Sequence, residues 1–366
     1  MRRTLLVAIA SLISAFVAPP ATAADPWLAA GGSQSLAATA DGAVWVWGYL
    51  GRGDVDQYAA IVRPLRVKTL RHVAAASVSS QFHFLALLPD GNVRAWGWNF
   101  FGQLGDGTDV DRAGPVAVER LRNVAVVAAG GDFSLALTAD GALWAWGRNQ
   151  WGQLGDGTVE TRFTPVRVRG LSGVRAVAAG FTDSYAVAAG GRVWSWGHRY
   201  LEPMVDTRPI PMPIPDLDAV TAIVSGGEHA LVLKSDGSVW AWGLNPDGRL
   251  GDGTQVNRFR PVRVRNLGSI VAVAAGRNHS LALRRDRTVW AWGGNDDGQL
   301  GDGTTVDRIS PVQVVGLDSV TKIAAGGYHN LAMRTDGSIW SWGGNEAGQL
   351  GDGTTTQRNR PVRVHD

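Results

Sequence analysis

VAVAAGRNHSLALRRDRTVWAWGGNDDGQLGDGTTVDRISPVQV, residues 271–314, holds four runs that can be strands: VAVAA, HSLAL, TVWAW and PVQV. Each alternates with period two and is bounded by turn residues. The unit recurs along the chain, marked by Trp-Gly pairs at Trp47, Trp96, Trp146, Trp196, Trp242, Trp292 and Trp342, close to 50 residues apart. The second and third runs meet at a tight turn, usually Asp-Gly, as at Asp41-Gly42, Asp90-Gly91, Asp140-Gly141, Asp236-Gly237 and Asp336-Gly337. Glycine accepts the positive φ such a hairpin turn requires.

Seven antiparallel units of four strands, none able to bury both faces alone, predict an all-β, seven-bladed β-propeller of four-stranded antiparallel blades. Of the 16 tryptophans, 13 fall at two positions of the unit, as in Trp240 and Trp242, on one face of the third strand. Packing between blades accounts for that regularity without a ligand. A carbohydrate-binding aromatic ladder is the alternative. Ring closure is expected from the last strand, Pro361–Val364, joining the first blade.

The first residues, MRRTLLVAIASLISAFVAPPATA, read as a signal peptide, 1–23: Arg2 and Arg3, an apolar run from Leu5 to Ala18, and the small-residue site Ala21-Thr22-Ala23. The run falls short of the roughly 20 residues needed to span a bilayer, so no membrane span is expected. The arginine pair leaves Sec and twin-arginine export both open. Residues 24–366 then form a single exported propeller, periplasmic or extracellular. With no cysteine, its stability must come from burial. Setting aside Arg2 and Arg3 leaves 33 basic against 32 acidic side chains, and this near-neutrality argues against nucleic acid as a partner.

The motifs AAGxxHSLAL, DGxVWxWGxNxxGQLGDGT and PVxV resemble the regulator of chromosome condensation repeat, and the likeness covers essentially the whole chain after residue 23. The resemblance implies a seven-bladed propeller. The nuclear founder of that family is an exchange factor for the GTPase Ran and binds chromatin. Its secreted branch, which beta-lactamase inhibitor protein II represents, grips a protein with one face of the disc, and a leader peptide fits that branch better. Two copies depart from the pattern. The first, GYLGRGDVDQYAAIVRPLRV, and the fourth, GHRYLEPMVDTRPIPMPIP, both lack LGDGT. The proline-rich fourth is expected to replace its outer strand with an extended segment, leaving room for a shorter blade.

Five copies keep an aspartate in the GDGT loop, Asp106, Asp156, Asp252, Asp302 and Asp352, and each has an arginine six residues on: Arg112, Arg162, Arg258, Arg308 and Arg358. Calcium needs about six to eight oxygens, and a phosphate loop needs a lysine and a following helix. Neither is present. Joint presence and absence within one chain predicts that carboxylate and guanidinium are partners. His83, His229, His279 and His329 share one repeat position, where other copies have Gln34, Phe133 and Asp183. Four ligands from four blades cannot all approach to the ~2.0–2.1 Å a zinc site requires, so hydrogen-bonded structural histidines are expected. No metal or other cofactor follows. The pattern near Asp336 resembles the Asp-box of sialidase propellers only faintly, and no nucleophile–base constellation stands out, so no catalytic residues are assigned.

In a four-stranded meander, the segments after Ala-Ala-Gly and after Trp-Gly emerge at the same end. They vary most between copies. The first four copies offer Tyr49, Phe82, Trp98, Phe100, Phe101, Phe133, Trp151, Phe181 and Tyr200 there. The last three offer mainly Glu228, Asp247, Asp296, Asp297 and Glu346, with Arg277 and Tyr328 as exceptions. Clustered aromatics anchor protein interfaces. The expected function is a monomeric protein-binding or inhibitor-like module; the aromatics folding over the loops as a local core is the competing account. A carbohydrate or cell-surface lectin is the alternative function. A propeller hydrolase or GTPase exchange factor ranks below both. The PVxV arginines, Arg167, Arg263 and Arg363, read as a solvated rim that protects edge strands, with a polyanion-binding surface as the rival.

Overall fold

The computed structural model describes residues 25–49, 60–201 and 204–365. The proposed leader, 1–23, lies outside them. The chain forms seven four-stranded antiparallel sheets, each built from strands consecutive in sequence. Blade 1 spans residues 27–71, blade 2 75–117, blade 3 124–167, blade 4 174–213, blade 5 220–263, blade 6 270–313 and blade 7 320–363. The ring is not closed by exchange of a strand. Arg358–Arg363 pairs only with the third strand of its own blade, and blade 1 supplies all four of its own strands. Blade 4 is not short either. Val193–Leu201 and Met204–Pro213 pair as far as Leu201 opposite Met204, making a long hairpin where other blades place the GDGT loop. Its prolines are tolerated because this is an edge strand, whose outward N–H groups have no partner to lose.

Apolar side chains between successive blades form the core. Leu85, Leu104 and Val118 of blade 2, for example, pack with Val127 and Trp146 of blade 3. Polar contacts fix the register of one blade on the next. The indole Nε1 of Trp146 donates to the carbonyl of Gln103 in the preceding blade at 2.8 Å, and Ser134 Oγ donates to the same oxygen at 2.8 Å. The pattern repeats for Trp196 and Ser184 on Gln153, Trp292 and Ser280 on Arg249, and Trp342 and Asn330 on Gln299. The ring closes the same way, with Trp47 and Ser35 of blade 1 on the Gln349 carbonyl of blade 7, both at 2.8 Å.

The histidines extend this clamp. His83 Nε2 lies 2.9 Å from Ser134 Oγ, His229 2.9 Å from Ser280, His329 2.8 Å from Ser35, and His279 2.7 Å from Asn330 Oδ1. Each serine spends its own proton on the loop carbonyl, so the histidine must donate from Nε2. The rings of His229, His279 and His329 lie under the glycine of the preceding turn; a Cβ on Gly276 would stand 2.1 Å from His279 Cε1. Burial holds His83 and His329 down to about 3 and His279 to about 4.

The GDGT loop is the other half of the clamp. Arg112, Arg162, Arg258, Arg308 and Arg358 contact the aspartate six residues before them at 2.7 to 2.9 Å. Thr108 and its equivalents cap the other carboxylate oxygen. The loop also leans on the following blade: Gly107 N donates to Phe163 O at 3.0 Å, and Gly353 N to Val62 O at 2.9 Å across the closure. Gly102 is needed in this approach, since its φ is +75° and a Cβ would meet the Phe163 ring at 2.6 Å. Asn99 organises the loop from inside, accepting from Leu104 N and donating to the carbonyls of Thr108 and Val110. Burial works to raise the pKa of each GDGT aspartate, but bonds from the threonine and arginine outweigh it and hold the carboxyl below its ordinary value.

Both groups weaken the fold in acid. The unfolded chain protonates its histidines near 6.5 while the folded chain refuses protons until about 3 to 4. Stability therefore falls as pH drops through that window, by at most about 1.4 kcal/mol per pH unit for each histidine. His279→Gln, which copies the Gln34 of blade 1, should flatten the dependence of urea-unfolding stability between pH 7 and 5; an unchanged slope would refute the buried neutral histidine. For the aspartates the stabilisation is present above about pH 4 and is lost as pH falls through the depressed folded value. Asp352→Asn should cost about 1 kcal/mol at pH 7, with the gap from the parent narrowing as the pH falls through the depressed pKa of Asp352.

Candidate functional site

The face carrying the post-Ala-Ala-Gly and post-Trp-Gly segments surrounds the mouth of the central shaft. The mouth is a cavity of about 380 Å³ lined by the Ala-Ala-Gly turns, with Phe82, Phe181, Arg277 and Tyr328 among its walls. It is wide because the turns are built from glycine and alanine, whose side chains do not fill it. The Arg277 guanidinium lies 5.9 Å from the Phe181 ring centre and 5.7 Å from that of Tyr328, so three blades meet over it.

Ring contacts join several of the aromatic residues in separate groups within and between blades 1 to 4. Tyr49 meets Phe82 edge-on at 5.1 Å, and Phe82 leans on Trp98 at 5.2 Å. Phe82 can reach both because blade 2 has one more residue in its turn: Ser79 N bonds the His83 carbonyl, where Gly276 N bonds that of His279. The longer turn puts Phe82 at φ +66°, a conformation that costs a non-glycine residue about 1–2 kcal/mol. Phe100 and Phe101 meet edge-on at 4.9 Å, and Arg148 of blade 3 lies over Phe101 at 4.7 Å. Arg148 is held by Asp132 at 3.0 Å. Trp151 packs on His198 of blade 4 at 4.5 Å.

The expected residues divide by accessibility. Tyr49, Phe82, Trp98, Phe101, Trp151 and Phe181 are half-buried, while Phe100 is 74% exposed. Phe133 does not belong to the surface. It occupies the histidine position of its copy and is fully buried in the core between blades 3 and 4. Of Tyr200, only the backbone falls within the described residues. Arg148 and Asp132 were legible only as varying loop positions and not as a pair.

The later blades present carboxylates. Burial raises Asp297 above its ordinary range, and Glu346 and Asp296 push it further. Glu228 and Asp247 are both drawn to Arg249, which is buried. In blade 4, Asp183 stands at the histidine position. Burial pushes its carboxyl up to about 7, against a bond from the Tyr185 hydroxyl. Among the described residues no three His, Asp or Glu side chains converge as a metal site needs. Ring faces, a held guanidinium and an acidic arc can bind by burial and charge.

Fold and face together define a propeller scaffold that displays variable loops around a central opening. The chain belongs to the regulator of chromosome condensation (RCC1) repeat family, whose repeat matches residues 90–137, 140–188, 236–283, 286–333 and 336–366. It is similar to the ultraviolet-B receptor UVR8 of Arabidopsis thaliana, 31% identical over 97 residues, which are 25% of this chain and 21% of the receptor. It is also similar to the human E3 ubiquitin-protein ligase HERC2, 38% identical over 114 residues, 29% of this chain and 2% of the ligase. Among solved structures, Prp20p of Saccharomyces cerevisiae, described for its binding to Gsp1p and histones, superposes with a TM-score of 0.76 at 25% identity, covering 88% of this chain and 85% of that one. Human WBSCR16 superposes with a TM-score of 0.73 at 23% identity over 92% of this chain and 89% of its own, a likeness of fold alone.

Proposed function

We propose that the chain is an exported protein-binding module that grips its partner, in the manner of an inhibitor, with the face around the shaft mouth. Phe100 carries this reading. Other exposed apolar side chains, such as Val110, Val256 and Val306, recur at one repeat position and so belong to the repeat. At the Phe100 position the other GDGT-bearing copies have Gln150, Pro246, Asp296 and Glu346. The fold does not need a phenylalanine there, and burying one at an interface is worth about 1.5–3 kcal/mol. Phe101, Arg148 and Trp98 hold the ground around it.

Prp20p, with the same architecture, is described as binding proteins, which supports a protein as the partner. The Arg2-Arg3 pair, the apolar run and Ala21-Thr22-Ala23 support export, and with it kinship to the secreted branch of the family. The test is affinity capture from the secreted fraction of the source organism, with the parent and a Trp98→Ala/Phe100→Ala variant as baits. The parent should retain a specific protein. The variant should bind it at least about 30-fold more weakly, the loss expected for one interface anchor of about 2 kcal/mol, with its melting transition in place. A variant that unfolds would make the arc core; one that binds like the parent would place the interface elsewhere.

A further inference from the structure

At the junction of blades 4 and 5 the clamp has no loop to supply it. Copy 4 passes from Gly197 into the long hairpin, so no carbonyl equivalent to that of Gln103 or Gln153 is delivered to blade 5. A crevice of about 50 Å³ remains, bordered by Asp183, Tyr185 and His198 of blade 4 and by Glu228, Trp242 and Gly243 of blade 5.

Residues at the clamp's polar positions border it. Trp242 is only 8% exposed. Its counterparts Trp47, Trp146, Trp196, Trp292 and Trp342 each donate to a loop carbonyl at 2.8 to 2.9 Å. Among the described residues the Trp242 indole N–H has no acceptor. Asp183 accepts from the Tyr185 hydroxyl through Oδ2, while Oδ1, under the Gly180 turn beside Ser225, is buried without a partner. Glu228 is 38% exposed at the rim, its carboxylate 3.6 Å from Arg249. Arg208 and Arg258 also border the crevice, and Arg258 pairs with Asp252 at 2.8 Å.

These groups specify an occupant. The indole N–H asks for a carbonyl oxygen, which is what a peptide unit gives it at the other junctions. The two carboxylates ask for donors and positive charge, and the rings of Trp242 and Tyr185 suit a flat cation. One water needs about 10–15 Å³ of such space, so the crevice takes three or four small atoms' worth, which matches a guanidinium head.

We propose that this crevice is a docking slot for an arginine-bearing peptide segment of a partner protein, with a main-chain carbonyl on the Trp242 indole N–H and the guanidinium between Asp183 and Glu228. Only the partner's being a protein rests on the preceding reading, and the slot can be tested without that partner. The probe is N-acetyl-arginine N-methylamide, titrated into the full chain while the indole N–H resonances are followed, with the norleucine and glutamate analogues as comparators. The Trp242 signal, identified by its loss in Trp242→Phe, should move saturably with the arginine probe at a Kd on the order of millimolar. The two comparators should leave it in place. Glu228→Gln, a change at the exposed rim that should leave the melting transition unmoved, should weaken the arginine probe at least fivefold. The Trp98→Ala/Phe100→Ala variant should bind the probe like the parent, which separates failure of the slot from failure of the aromatic face. A Trp242 signal that stays still, that moves equally with all three probes, or that titrates unchanged in Glu228→Gln would overturn the proposal.

Discussion

The ring depends on one backbone oxygen at each of five of its seven junctions. The carbonyl of Gln103, and of its equivalents Gln153, Arg249, Gln299 and Gln349, accepts at once from an indole and from a serine or asparagine of the next blade. These groups are buried, and leaving any one of them unpaired would cost about 1–3 kcal/mol. The clamp therefore constrains residues far apart in sequence. A tryptophan and a serine in one blade are satisfied only if the blade before it carries a loop of the right shape.

That dependence explains why substitutions cluster. The blades that follow a copy without LGDGT have Phe84 and Ala230 where the clamp would use serine. An apolar side chain there has no hydroxyl to leave unpaired. One step back, the histidine that would donate to that hydroxyl is replaced by Gln34 and Asp183. The repeat as the family defines it also straddles the junction: residues 90–137 run from the third strand of blade 2 to the second strand of blade 3. The inherited unit holds both halves of one clamp. Residues 189–235, which cross from blade 4 to blade 5, fall between two matched repeats.

Much of this architecture was legible in the sequence because a repeat supplies its own controls. The period located the strands, and the joint loss of aspartate and arginine in copies 1 and 4 revealed their pairing before any distance was known. What stayed hidden was longer in range. Nothing within one copy says that its GDGT loop rests on the next blade, so the glycines read only as turn formers, whereas Gly102 makes room for Phe163. Closure was misjudged for a related reason: exchange of a strand and side-by-side packing of complete blades leave the same pattern of strands. At the face, position alone marked Phe133 as a candidate. Its membership of the histidine position was the better guide, because every side chain at that position points into the packing between blades.

Strength in the clamp is what allows the loops above it to vary. Asn99, Leu104, Asp106 and Arg112 settle the course of the segment after Trp-Gly from below, so that the two residues after the asparagine carry almost none of the structural burden. In blade 2 they are Phe100 and Phe101, and in blade 6 Asp296 and Asp297; the backbone path is the same. Where the clamp itself is absent, as between blades 4 and 5, variation reaches deeper. Tyr185 replaces the leucine found at that position in every other copy, its ring fills part of the space and meets Trp242 edge-on at 5.7 Å, and its hydroxyl satisfies one oxygen of Asp183. The repair is incomplete, because a tyrosine brings a donor to Asp183 but no acceptor to the indole. A junction closed by its own loop pairs these groups internally, whereas among the described residues this one leaves the Trp242 indole N–H and Asp183 Oδ1 without a partner.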